Sequence, residues 1–78
     1  MLLPLTEKQK RRAQQIIKDL VKKEGTQHRL AVSLHITEPS LSQLINGKYL
    51  PSARVCVLAE AKYGIKKEDI RPDIFMVN

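Results

Sequence analysis

The segment of residues 27–46 constrains the fold most strongly, because two apolar groups at helical spacing lie only a few residues apart. The groups are Leu30, Ala31 and Leu34, then Leu41, Leu44 and Ile45. Residues 35–37 form the turn between them, which is too short for the two helices to lie parallel. We therefore predict two short helices that meet at an angle and share one core.

Capping residues and glycines divide the chain into helices. The predicted helices span residues 6–24, 26–34, 37–46, 52–63 and 66–70. Their N-terminal signals are Thr6 with Gln9 as a capping box, Thr26, Thr37 and Ser52, and their stop signals are Gly25, Gly47 and Gly64. Pro39 falls in a first turn, where a proline breaks no hydrogen bond of the helix.

These signals predict an all-α fold of five short helices around one core, in a single domain of residues 1–78. The apolar run of residues 55–59 should make the fourth helix buried on more than one side. Residues 1–5 are expected to pack on the core as an arm. Residues 71–78 are expected to form a C-terminal tail, which either pairs as a strand across a two-fold axis or folds back onto the core.

The composition excludes several classes of protein. Cys56 is the sole cysteine, so no internal disulfide or cysteine-based zinc site can staple so short a chain, and dimerisation is expected to help stabilise it. An unpaired cysteine suits a reducing cytoplasm, where we expect the protein to reside. No apolar run approaches the roughly 18 residues of a membrane span, so no membrane association is expected.

The positive charge is confined to one part of the chain. Residues 1–54 contain ten Lys or Arg against four Asp or Glu, whereas residues 55–78 contain four of each. The net charge of +6 therefore belongs to the part that holds the two angled helices. Such an excess is typical of polyanion binders. The basic face of the first helix can equally be a solvated surface, with only its first turns near phosphates.

The third helix has an outward face of small polar residues. At 100° per residue, Pro39, Gln43 and Asn46 point away from the Leu41 and Leu44 side, with Ser42 on the flank. A glutamine can bond both the N6 and N7 atoms of adenine. The predicted base-reading residues are Thr37, Glu38, Pro39, Ser42 and Gln43. For each one alone, a solvated polar side chain is the competing interpretation.

Phosphate contacts are expected around the same two helices, because helix N-termini and nearby donors favour anions. The predicted phosphate-binding residues are Gln27, His28, Asn46, Lys48 and Arg54. Arg54 is equally consistent with a surface ion pair.

Several of these residues carry a family resemblance. They are Gln27, Ala31, Ile36 and Leu41, the ending at residues 44–47, and the string Arg71-Pro72-Asp73-Ile74-Phe75. With them, the chain resembles the Cro and λ-repressor-like helix-turn-helix family, and most closely the small YdaS-like or Cro-like phage and prophage regulators. The resemblance implies a λ-repressor-like domain with the helix-turn-helix at residues 27–46. It further implies a homodimer on a short palindromic operator that represses transcription by occluding a promoter.

The same resemblance assigns roles to residues. It implies that Gln27 and Asn46 touch phosphate, whereas Glu38, Pro39, Ser42 and Gln43 face bases. One position departs from the family pattern. His35 stands where the family usually has glycine, because the backbone there takes a positive φ, which histidine tolerates at modest cost.

The predicted function is therefore that of a transcriptional regulator that binds double-stranded DNA. An enzyme is not expected, because no nucleophile stands beside a base and no glycine-rich phosphate loop is present. No cofactor or metal is expected. The competing hypothesis is a protein-interaction module, such as an antitoxin that binds a toxin through the fourth helix and the tail. RNA binding is disfavoured, because the chain has too few aromatic residues for a stacking platform.

Overall fold

The computed structural model describes residues 5–75, and this part of the chain is helical without a β-strand. The helices are α1 (Glu7–Glu24), α2 (Gln27–Leu34), α3 (Glu38–Ile45), α4 (Ala53–Tyr63), α5 (Lys67–Ile70) and α6 (Pro72–Phe75). The all-α prediction is confirmed. The predicted number of five helices is wrong, because residues 72–75 form a sixth.

The helices begin where their capping side chains indicate. Thr6 and Gln9 form the predicted reciprocal capping box, with distances of 3.1 Å from Gln9 N to Thr6 Oγ1 and 2.9 Å from Thr6 N to Gln9 Oε1. The hydroxyls of Thr26, Thr37 and Ser52 cap α2, α3 and α4 in the same way, each accepting from the backbone N–H three residues later. The four predicted N-caps are therefore confirmed.

The core lies where α1, α2, α3, α4 and α5 converge. Its largest fully buried side chains are Ile17, Leu30, Leu34, Leu41, Cys56 and Ile70. Both apolar groups of the angled pair contribute to it, as their spacing predicts. Leu5 is also buried, in agreement with the predicted N-terminal arm, of which residues 1–4 lie outside the described part.

Two predictions for the C-terminal half need correction. The apolar run of α4 is not buried all round, since Val55, Cys56 and Ala59 face the core whereas Val57 is 50% exposed. The tail begins with α6, because a proline with its fixed φ favours the first position of a helix. Residues 76–78 of the predicted tail lie outside the described part.

A hydrogen-bonded cluster joins three helix ends on the side opposite the first turns of α1. The Tyr63 hydroxyl donates to the Glu24 carboxylate at 2.6 Å and lies 2.6 Å from Ser33 Oγ, which can donate to it. The pKa of Tyr63 is raised, first by partial burial and then by this carboxylate. Among the described helices, none is long and apolar enough to cross a membrane.

Candidate nucleic-acid interface

The turn between α2 and α3 takes the backbone conformation that the family resemblance implied. His35 has φ 58° and ψ 40°, in the left-handed region. Its N–H and that of Ile36 bond back to the carbonyls of Val32 and Ala31 at 3.2 and 3.0 Å. The turn therefore closes on α2, which fixes the direction in which α3 leaves.

The first turns of α2 and α3 are joined by a contact between two of the predicted site residues. The imidazole Nδ1 of His28 lies 3.0 Å from a carboxylate oxygen of Glu38, and both side chains are mostly exposed. Gln27 is exposed beside His28 at the start of α2. The contact brings together two helix N-termini, which are favourable places for anions.

The hydroxyl of Thr37 is occupied by capping. It accepts from the backbone N–H of Ser40 at 3.2 Å and donates to Ser40 Oγ at 2.9 Å. The side chain remains exposed, so its methyl group is the part available to a ligand.

The outward face of α3 is more varied than the helical projection indicates. Pro39 and Asn46 are exposed, whereas Ser42 and Gln43 are half-buried. Gln43 lines a shallow cavity of about 260 Å³ between α3 and the start of α4. Tyr49 and Ser52 line the same cavity, so the amide of Gln43 is bordered on one side by the loop before α4.

The turn after α3 exposes Asn46, Gly47, Lys48 and Tyr49. The backbone N–H groups of Asn46, Gly47 and Lys48 are bonded to carbonyls of α3 at 3.0, 3.2 and 2.9 Å. The ammonium of Lys48 lies 5.8 Å from the centre of the Tyr49 ring. Arg54, the remaining predicted phosphate ligand, is exposed in the first turn of α4.

Sequence reasoning did not identify Gln14, which holds the end of α3. Its amide Nε2 donates to the carbonyl of Ile45 at 2.7 Å. The φ of 76° at Gly47 favours glycine, and a Cβ built there would lie 3.1 Å from the Gln14 side-chain oxygen, which would have to shift by a few tenths of an ångström. The signal in the sequence is a glutamine between Ala13 and Ile17, next to the buried face of α1.

A model of the protein family described as bacterial toxin YdaS matches residues 17–77, which is most of the chain. The chain belongs to the YdaS toxin family. The YdaS-like part of the sequence resemblance is thereby confirmed. Neither a curated protein nor a solved structure matches the chain significantly.

The YdaS match covers the helices from α2 to α6 completely, but α1 only from residue 17 onward. Lys10, Arg11 and Gln14 precede it. These residues contact or border the turn after α3, so part of this surface lies outside the matched residues.

A second polar cluster of the YdaS-family domain fixes the loop before α4. The Arg71 guanidinium donates to both carboxylate oxygens of Asp73 at 2.9 and 2.7 Å and to the carbonyl of Pro51 at 2.8 Å. These bonds from Arg71 hold the pKa of Asp73 below its ordinary value. Because both side chains are more than four-fifths buried, this ion pair is a structural one.

The cysteine of the YdaS-family domain lies in the core, away from this surface. Cys56 is fully buried, and its burial raises the pKa of the thiol to about 11. A thiol in this environment is an inert core side chain. Over residues 5–75, no three His, Cys, Asp or Glu side chains come together as a possible metal site.

Proposed function

We propose that this YdaS-family protein is a sequence-specific DNA-binding regulator, in which α2 and α3 form a helix-turn-helix and α3 reads bases in the major groove. The observation that carries the proposal is the contact between His28 and Glu38. It aligns the first turns of α2 and α3 on an exposed surface, which is how a helix-turn-helix meets the DNA backbone and the groove together.

The residues around this contact have the chemistry that base reading requires. Pro39 and Ser42 are small, so the α3 backbone can approach base edges closely. Gln43 supplies the donor and acceptor pair that recognises adenine. Glu38 can accept from a cytosine amino group, or can repel phosphates in incorrect registers.

Phosphate contacts complete the proposed interface. Gln27 and His28 at the start of α2, and Asn46 and Lys48 after α3, flank the reading helix on both sides. Arg54 adds a cation in the first turn of α4. The concentration of the positive charge in residues 1–54 supports this assignment, which requires no catalysis and no cofactor.

A Cro-like homodimer on a palindromic operator, repressing by occlusion of a promoter, is the form of regulator we propose. Val57 of α4 and Ile74 of α6 are 50% and 40% exposed. They belong to residues 55–78, whose charges balance, which favours association over repulsion. Phe75 packs against the core, so Val57 and Ile74 are the better candidates for the dimer contact.

The deciding experiment is selection of the purified protein against random-sequence duplex DNA at near-physiological salt. We expect enrichment of a two-fold-symmetric motif with half-sites about one helical turn, roughly 10 base pairs, apart. An asymmetric motif would retain sequence-specific binding but reject the homodimer. Weak, salt-sensitive binding without enrichment would reject base reading altogether.

The name of the family favours a second candidate, a protein-interaction module that acts through α4 and the C-terminal residues in a toxin or antitoxin system. Growth of bacteria expressing the wild type, Gln43→Ala or Val57→Glu from an inducible promoter separates the two. Toxicity abolished by Gln43→Ala alone would arise from DNA binding. Toxicity abolished by Val57→Glu alone would favour protein interaction.

A further inference from the structure

A basic cleft lies beside the turn that follows α3. It has a volume of about 440 Å³ and is lined by Lys10, Gly47, Lys48, Tyr49, Leu50 and Arg71. Three separate parts of the chain therefore contribute a cation each: α1, the turn after α3 and the residue before α6. Among the described residues, no carboxylate lines this cleft.

The charges near the cleft are not equivalent. The charge of Arg71 is offset by its two bonds to Asp73. Lys10 lies 3.4 Å from Glu7 in an exposed ion pair, and such pairs are weak because water screens the two charges. Lys48 lies over the Tyr49 ring, and none of the ion pairs among the described residues includes it. Lys10 and Lys48 are therefore the two cations that an incoming anion can engage.

Three backbone N–H groups of this turn are unavailable to an anion. The N–H groups of Asn46, Gly47 and Lys48 already donate to carbonyls of α3. A phosphate beside these three residues must consequently be held by other donors, among which are the cationic side chains that line the cleft. Lys10 of α1 and Lys48 line the same cleft. Lys10 also lines the adjacent cavity that reaches Asn46.

We propose that this cleft seats one backbone phosphate of duplex DNA, held jointly by Lys10 and Lys48 at the C-terminal end of α3. The inference rests on the proposed function and adds α1 to the DNA-binding surface. It gives the basic first turns of α1 a specific role. The bond from Gln14 of the same helix to the end of α3 holds α1 beside the cleft.

The test compares two lysines of the same helix. Lys18 is also exposed on α1, but it is eight residues from Lys10, which is about 12 Å along the axis, and it does not line the cleft. Binding of Lys10→Gln, Lys18→Gln and wild type to a fluorescent random-sequence duplex of about 20 base pairs is measured by anisotropy. The salt concentration is varied from about 50 to about 200 mM.

We expect Lys10→Gln to lower the slope of log affinity against log salt by about one unit, and Lys18→Gln to leave it nearly unchanged. Lys10→Arg should restore the wild-type slope. Equal losses for Lys10→Gln and Lys18→Gln would overturn the proposal, since only the general field of the helix would then be involved. A wild-type slope for Lys10→Gln would overturn it as well.

The outcome also separates this inference from the function on which it rests. If the wild type binds DNA and Lys10→Gln has no effect, the phosphate site in the cleft is rejected but the proposed DNA-binding function is not. No DNA binding by the wild type rejects both. Thermal unfolding of each variant shows whether the fold is intact, which we expect because Lys10 and Lys18 are both exposed.

Discussion

The imidazole of His28 and the carboxylate of Glu38 lie 3.0 Å apart and join the first turns of α2 and α3. The pair is exposed, so it contributes little to folding stability, on the order of 0–1 kcal/mol. Its importance is positional. It fixes a carboxylate on the surface that we propose meets the negatively charged DNA backbone.

Replacement of Glu38 by glutamine should strengthen binding to random-sequence DNA several-fold, because one charge that repels phosphates is removed. The unfolding free energy should fall by less than about 1 kcal/mol, from loss of a favourable charge at the α3 N-terminus. Anisotropy titrations of Glu38→Gln against Asp19→Asn, an equal charge change on the exposed face of α1, provide the measurement. Equal effects of the two variants would exclude a local role for Glu38.

Gln43 is expected to determine preference at a single base position. Gln43→Ala should lose about 1–3 kcal/mol of discrimination at that position and keep its binding to random DNA. Competition titrations with the selected operator and single-base variants measure this loss. An unchanged preference profile would show that α3 is not the reading element, whatever the total affinity.

Gln14 should stabilise the fold by fixing the end of α3. Removal of its half-buried hydrogen bond to Ile45 in Gln14→Ala is expected to lower the unfolding free energy by about 1 kcal/mol. The control is Gln15→Ala, since Gln15 bonds only to exposed Asp19 on the same helix and should cost less than about 0.5 kcal/mol. Chemical denaturation compares the two. Equal losses would mean that the bond to α3 adds nothing.

The left-handed backbone at His35 should make a glycine variant more stable than an alanine variant, which is the reverse of the usual order inside a helix. Glycine reaches φ 58° without strain, so His35→Gly should be more stable than His35→Ala by about 1 kcal/mol. At a position inside a helix, alanine would be favoured by a similar amount. Denaturant unfolding of both variants tests this order, and a more stable alanine variant would contradict the observed turn.

The ion pair of Arg71 and Asp73 predicts a dependence of stability on pH. Because the pKa of folded Asp73 is lowered, its contribution is present above the ordinary pKa of aspartate, about 4, and is lost as pH falls through the folded value. Asp73→Asn should therefore lower the unfolding free energy by about 1–3 kcal/mol at neutral pH. The difference from wild type should shrink in acid. A difference that is constant with pH would assign the loss to packing.

Helix positions could be predicted because they depend on local chemistry. Thr26, Thr37 and Ser52 cap their own helices, and each cap needs only the N–H three residues later. The sixth helix was missed because residues 72–75 were assigned to the C-terminal tail, and the helix is only four residues long. The exposure of Val57 was missed because a continuous apolar run does not indicate which of its sides faces the core.

The exposure of some candidate-site residues could be predicted, but their contacts could not. Helical projection correctly exposed Pro39 and Asn46. It could not show that Tyr49 and the start of α4 border Gln43, because a projection treats each helix alone. The bond from Gln14 to Ile45 spans 31 residues, and such pairings depend on how α1 crosses α3.

Leu41 and Leu44 secure α3 in the core, whereas Pro39, Ser42 and Gln43 lie on its other faces. Under the proposed function, the residues that maintain the fold and those that select the target are different residues of one eight-residue helix. Substitutions at the outer positions can therefore accumulate without compensating changes inside. A lineage of such domains can acquire new operators while its three-dimensional structure is inherited intact.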